Sequence, residues 1–181
     1  MLTATYSIVA ISAEQQKARR VLARLQQSIT HIWKNLQEID LASVESTIHK
    51  LTQFDRLFHA RKLEQYVIPA IKNATHEADF LLEELEALSG FCLKILQALP
   101  QQLHLAVQQG MARQKELRRA MELYCSNLQL RLIKEEQELL PLVPRVLSGE
   151  EIFELGARFL SDDGEKLERS SVTQEFNGLP K

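Results

Sequence analysis

Apolar residues recur at helical spacing along almost the whole chain. A first helix is predicted from Ser12, where Ser12 and Gln15 form an S-x-x-Q capping box. Its inward seam reads Gln15, Ala18, Leu22, Leu25, Ile29, Ile32, Leu36 and Ile39. The steps alternate between three and four residues, the spacing with which one helix face lines a core. Gln15 is its only polar member. Asp40 is placed to cap a second helix running to about Ile71, with Val44, Ile48, Leu51, Phe58 and Tyr66 inward. Asp55, His59 and Leu63 follow one another by single turns along the edge of that face.

A third helix is predicted from near Thr75 to Leu99, with a wholly apolar seam of Ala74, Ala78, Leu81, Leu85, Leu88, Cys92, Ile95 and Leu99. Pro100 either breaks it or opens the next segment. The stretch from Gln101 to Gly110 is then a short helix or a continuation. A fourth helix covers roughly Arg113 to Leu147. Its seam reads Leu117, Met121, Tyr124, Leu128, Arg131, Glu135, Glu138 and Leu142. Charged residues on a seam are abnormal. Ser148 and Glu151 form a second capping box, opening a short fifth helix through Leu160 with Ile152, Phe153 and Phe159 as its apolar side. From Ser161 the chain turns polar and aperiodic, the composition of a loosely packed or disordered tail.

One 13-residue pattern is written twice, 72 positions apart: "HARKLEQYVIPAI" from His59 and "RLIKEEQELLPLV" from Arg131. Each carries a Lys, a Glu and a Gln in the same places, then an apolar pair and a proline. Such a repeat predicts two similar halves with a polar site between them. The short link between the second and third helices makes those two antiparallel neighbours. The expected fold is all-α, an antiparallel up-down four-helix bundle over residues 1–160 followed by the polar tail 161–181. That topology gathers Gln15, His59 to Glu64, His76 and Arg131 to Glu136 at one end.

With 181 residues, the chain is long enough for one domain with a stable core. Its 22 basic and 24 acidic side chains leave a formal charge of −2, which gives no reason to expect nucleic acid or an anionic membrane as partner. Two cysteines, Cys92 and Cys125, are too few for a disulfide framework and lie on or beside apolar stripes, so buried reduced thiols are expected. Met1 to Ile11 lacks the basic start and apolar length of a signal peptide, and no stretch approaches the roughly 20 apolar residues of a membrane helix. A soluble, cytoplasmic protein is the expectation.

The strings "FHARKLEQYVIPAI" at 58–71, "RLIKEEQELLPLV" at 131–143 and "LSGEEIFELGARFL" at 147–160 resemble the hemerythrin-like (HHE cation-binding) domain family. The resemblance covers about residues 10–160. It implies a His from the first helix, an H-x-x-x-E from the second, a His from the third and another H-x-x-x-E from the fourth, together holding a metal pair. Carried over residue by residue, the set is broken. Gln15 (or Gln16) stands for the first His. His59 is kept, but Leu63 replaces its carboxylate, with Glu64 as the neighbouring acid. His76 is offered by the third helix, although the seam favours Thr75. Arg131 replaces the last His, and Glu135 is kept, followed by Glu136. The implied metal residues are therefore His59, Glu64, His76 and Glu135, with Asp55 and Glu136 as their outer partners.

Arg131 cannot ligate a metal, because guanidinium stays protonated and offers only donors. Four residues before Glu135, it can pair with that carboxylate in place of metal charge. Two readings follow. The first is a cation- or O2-responsive module holding one or two iron ions, or zinc, in an incomplete site. The second is a metal-free structural or regulatory bundle, with a protein partner or a second copy as ligand and an Arg131–Glu135 pair where the metal would be. A di-iron enzyme is the weakest reading, since the ligand set is broken. Ordinary roles stand beside these: Glu64, Glu136 and Glu138 as solvated helix charges, Asp55 on an exposed flank, and His76 as a polar residue near a helix start. His31, His49 and His104 fall off the seams, and the run Arg113 to Glu122 is a solvated face.

Overall fold

The computed structural model describes residues 2–34 and 40–177. The described residues are helical almost throughout, with no strand among them. Helix α1 spans Leu2–Ile32, α2 Leu41–His59, α3 Ile68–Ala74, α4 Asp79–Gln109, α5 Met111–Lys134, α6 Leu140–Val146 and α7 Gly149–Asn177. Two π-helical turns, Leu63–Val67 and Glu135–Leu139, lead into α3 and α6. Helix α4 packs along α5. Helix α1 packs against α2, α5 and α7, α2 touches α4, and α3 faces α6. No helix among the described residues is long and apolar enough to cross a membrane.

Local chemistry accounts for most boundaries. Asp40 caps α2 as expected, its carboxylate accepting from the Ala42 backbone N–H at 3.1 Å. Gly110 separates α4 from α5 at φ +75°, a conformation that glycine adopts without the strain of a Cβ. This one residue folds the two longest neighbours into a hairpin. Pro100 neither breaks nor opens a helix. It sits on the exposed side of α4, where its missing N–H is tolerated, and α4 continues through to Gln109.

The structure departs from the periodicity at four places. Helix α1 begins at Leu2, ten residues before the expected start, because Tyr6, Ala10 and Ile11 join an apolar cluster with α7. Gln15 is therefore inside the helix, with its side chain engaged elsewhere rather than in a capping box. The expected seam positions Leu36 and Ile39 lie outside the described residues. The expected second helix is interrupted after His59. Thr75, extended at φ −156°, precedes a start of α4 at Asp79. Finally, α7 continues past Leu160 to Asn177. Its residues just beyond Leu160 are docked: Tyr66 donates to Asp162 at 2.6 Å, and Tyr6 and Lys62 converge on one oxygen of Asp163 at 2.7 and 2.6 Å.

The sequence repeat is a repeat of backbone. The π turns and the short helices after them recur with the same 72-residue offset as the residues themselves. Pro69 and Pro141 hold the second position of α3 and α6. A proline ring presses on the carbonyl four residues earlier, here that of Gln65 or Gln137. A wider turn before it relieves the clash and shifts hydrogen bonding by one residue, from the Ile68 N–H to the Leu63 carbonyl and from Leu140 to Glu135.

Helix α7 opens on the expected capping box. The Glu151 carboxylate accepts from the Ser148 N–H at 2.7 Å and hydroxyl at 2.8 Å, and the Ser148 hydroxyl accepts from the Glu151 N–H at 3.3 Å. The backbone bond, then the hydroxyl, holds the Glu151 carboxyl below its ordinary 4.5. A folded-state value below the unfolded one stabilises in full above 4.5 and is lost as pH falls through the lowered value. Ser148→Ala is expected to cost about 1 kcal/mol in urea unfolding at pH 7, the ordinary worth of an N-cap. Glu151→Gln should flatten the acid side of the stability–pH curve.

Candidate functional site

Two apolar cores are stacked along the molecule, and a charged layer separates them. One core holds Ala18, Phe58, Cys92, Leu128 and Leu132; the other holds Ile11, Leu63, Leu85, Leu139 and Phe159. Each contributing segment crosses from one core to the other at a polar residue. On α1 it is Gln15, between Ile11 and Ala18. After α2 it is Arg61, between Phe58 and Leu63. On α4 it is Ser89, between Leu85 and Cys92. On α5 it is Arg131, and Glu135 opens the π turn that follows.

The geometry is dense. Glu135 has 0% of its surface exposed, Arg131 3% and Arg61 6%. Arg61 forms a fork on Glu135, with Nη1 at 2.9 Å from Oε2 and Nη2 at 2.9 Å from Oε1. Nη1 also donates to Gln15 Oε1 at 2.7 Å, Nη2 to Glu64 Oε1 at 3.2 Å, and Nε to the Phe58 carbonyl at 2.8 Å. These contacts use every donor a guanidinium has. Gln15 closes the ring by donating from Nε2 to Glu135 Oε2 at 2.8 Å. Arg131 donates from Nη2 to Glu64 Oε1 at 2.5 Å and from Nη1 to the Ser89 hydroxyl. Its Nε lies 3.1 Å from Glu135 Oε1, close enough for ionic attraction but misaligned for a hydrogen bond. The Phe58 ring lies 3.6 Å under the Arg61 guanidinium carbon.

Two guanidinium groups face two carboxylates, so the layer is formally neutral. Charges this deep are tolerable only when paired and hydrogen-bonded, because desolvation costs each ion several kcal/mol.

The structure brings Gln15, Glu64, Arg131 and Glu135 together and leaves the other expected site residues outside. The His59 ring lies edge-on to Phe58, half-exposed at the end of α2, with Nε2 3.9 Å from Asp55. Asp55 is buried and accepts from the Tyr124 hydroxyl at 3.0 Å. His76 is 95% exposed and meets Asp79 at 2.9 Å. Leu63 is buried in the second apolar core. Glu136 points outward and forms a fork with Arg19, with the Nε contact at 2.7 Å. Among the described residues, no group of three or more His, Cys, Asp or Glu side chains is placed to hold a metal ion.

Two further residues of the layer, Arg61 and Ser89, are not among the expected site residues, although Arg61 falls within the stretch His59 to Glu64 expected at the polar end. The signal for Arg61 was present: it stands three residues after inward Phe58, where a helical face continues inward, and within the repeated segment. Ser89 had no such mark, being the neighbour of seam residue Leu88.

Beside the layer, burial dominates the titrating groups. It pushes the Cys92 thiol up to about 12, with the Asp55 charge adding and Arg131 opposing. Cys125 is likewise pushed up to about 12 by burial, then by Cys92 and Glu122. The Tyr124 hydroxyl is raised by burial first and by Asp55 second. Both cysteines are free and buried, so their thiolate populations at neutral pH are negligible.

Arg61→Ala and Arg131→Ala are each expected to cost about 3–5 kcal/mol in urea unfolding, because a buried carboxylate loses its counter-charge. A loss under about 1 kcal/mol, the range of exposed pairs, would contradict a buried layer. Replacing Gln15, Arg61, Arg131 and Glu135 together by Leu or Met, with Glu64→Gln, should recover that loss. A thiol reagent at pH 8 should label neither cysteine until denaturant is added.

Comparison with protein-family models, with curated proteins and with solved structures returns no match for this chain.

Proposed function

We propose that the chain is an up-down four-helix bundle of hemerythrin-like kind that works without metal. An internal ion cluster takes the place of the metal centre, and the bundle serves as a structural or regulatory binding module. The observation that carries this reading is the exhausted donor set of Arg61, five hydrogen bonds aimed at the groups around Glu135. In a metal centre, Glu64 and Glu135 would give lone pairs to cations. Here Arg61 and Arg131 supply that positive charge covalently, from within the chain.

The donor chemistry fits a salt-bridge layer and does not fit a metal pair. Guanidinium cannot coordinate, and both carboxylates already accept charged donors. A metal held by His59, Glu64, His76 and Glu135 would need Arg61 and Arg131 expelled and a fully solvent-facing His76 drawn inward. Polar layers of this kind are costly in stability, and their best-attested use is to specify a unique packing. That suits a rigid module presenting its outer faces to a partner. No catalytic step is part of the proposal.

The test is metal content per chain after tag-free purification, followed by ferrous iron added under nitrogen and then air. Metal far below one ion per chain is expected, with no oxo-type near-ultraviolet band and a melting temperature indifferent to chelator, iron and zinc. Near-stoichiometric iron with such a band would overturn the proposal and restore the cation- or O2-responsive reading.

A further inference from the structure

Outside the charged layer, a groove of about 600 Å³ lies between α1 and α2. Its floor is apolar, formed by Ala18, Val21, Leu25, Phe54 and Phe58, with Leu57 on one wall. Leu57 is 68% exposed and adds accessible apolar surface at the groove's edge. Its rim is cationic: Lys17, Arg24 and Lys50. None of these three makes an ion pair among the described residues. The rim's one acid, Glu14, already accepts the Lys62 backbone N–H at 2.7 Å. Beyond Ser28 the groove runs into a wider polar cavity that shares Arg24, Ser28 and Lys50 and adds Lys34 and Thr47.

We propose that this groove binds a single-chain anionic amphiphile, specifically a free long-chain fatty carboxylate. The volume lies within the roughly 300–1,000 Å³ of small-molecule sites, which are mostly apolar with a few polar groups that fix orientation. From Glu14 to Ser28 the α1 wall is about 21 Å long at roughly 1.5 Å per residue, room for an extended acyl chain. The gradient of polarity sets the direction. The hydrocarbon lies over Val21, Phe54, Leu57 and Phe58, and the carboxylate meets Arg24 and Lys50. Arg61 also reaches the groove, but its donors are all committed and it has none for a ligand. The proposal is independent of the metal-free reading of the charged layer.

The experiment uses the full chain and displacement of cis-parinarate by oleate below its aggregation concentration. Saturable displacement at one site per chain is expected, with oleyl alcohol about tenfold weaker. Arg24→Glu with Lys50→Glu should weaken oleate about tenfold and leave oleyl alcohol unchanged, since both positions are exposed and the fold does not depend on them. Leu57→Glu should weaken both ligands. Melting curves identify any variant that misfolds, and Arg24→Gln with Lys50→Gln then replaces the charge reversal. The proposal is overturned by an absence of saturable oleate binding. Equal affinity for oleate and oleyl alcohol with no effect of charge reversal also overturns it. So does binding to phosphatidylglycerol vesicles without binding of free oleate, which would make the face a membrane contact.

Discussion

Glu135 has no contact with solvent, and its charge has to be answered from inside the protein. Arg61 answers it with a planar fork, Gln15 with an amide, and Arg131 with a second guanidinium that Glu64 in turn balances. The members come from three segments of the chain: Gln15 from α1, Arg61 and Glu64 from the stretch after α2, and Arg131 and Glu135 from the end of α5 and the π turn behind it. The positions of α1, α5 and the link after α2 are therefore tied to one another by charge as well as by packing. Apolar cores tolerate sliding and repacking of similar shapes, whereas a displaced guanidinium leaves a buried carboxylate uncompensated. A helix shifted by one turn would keep much of its apolar contact and lose its place in the layer.

The two halves of the chain share one pattern and differ in the residues that build the layer. Both keep the proline, the π turn and the short helix behind it. They differ where the layer is built: Leu63 matches Glu135, His59 matches Arg131, and Arg61 matches Ile133. One half thus supplies the deepest carboxylate, and the other supplies the guanidinium that forks on it. The common backbone sets the place of the polar residues, and the substitutions set their signs. Each half contributes one guanidinium and one carboxylate, Arg61 with Glu64 and Arg131 with Glu135, and the pairs interlock across the halves, Arg61 forking on Glu135 and Arg131 meeting Glu64.

Helical character, the cap at Asp40, the capping box at Ser148 and the abnormal seam at Arg131 and Glu135 were legible in the sequence because each depends on residues a few positions apart. Gln15 was legible as the single polar member of an apolar seam. What escaped depended on contacts across the fold. The start of α1 moved to Leu2 because α7 covers Tyr6 and Ile11, and α7 ran past Leu160 because Tyr6, Lys62 and Tyr66 meet Asp162 and Asp163. His59 and His76 carried a motif resemblance, yet the break after His59 and the late start of α4 leave both rings at the surface. Arg61 was hidden by its own charge, although helical spacing from Phe58 marked the position.

The single-residue link at Gly110 bears on the order in which the molecule assembles. Helices α4 and α5 are joined with almost no loop to close, so their mutual contacts begin at short sequence separation and can form early. The bond between Gln15 and Glu135 spans 120 residues, and the fork from Arg61 spans 74. Those closures cost more chain entropy, about 0.6 kcal/mol for each doubling of the loop, and reward the protein only once both ends are in place. The hairpin is thus the natural template, and the ion layer completes only on a chain whose distant parts have already docked in the right register.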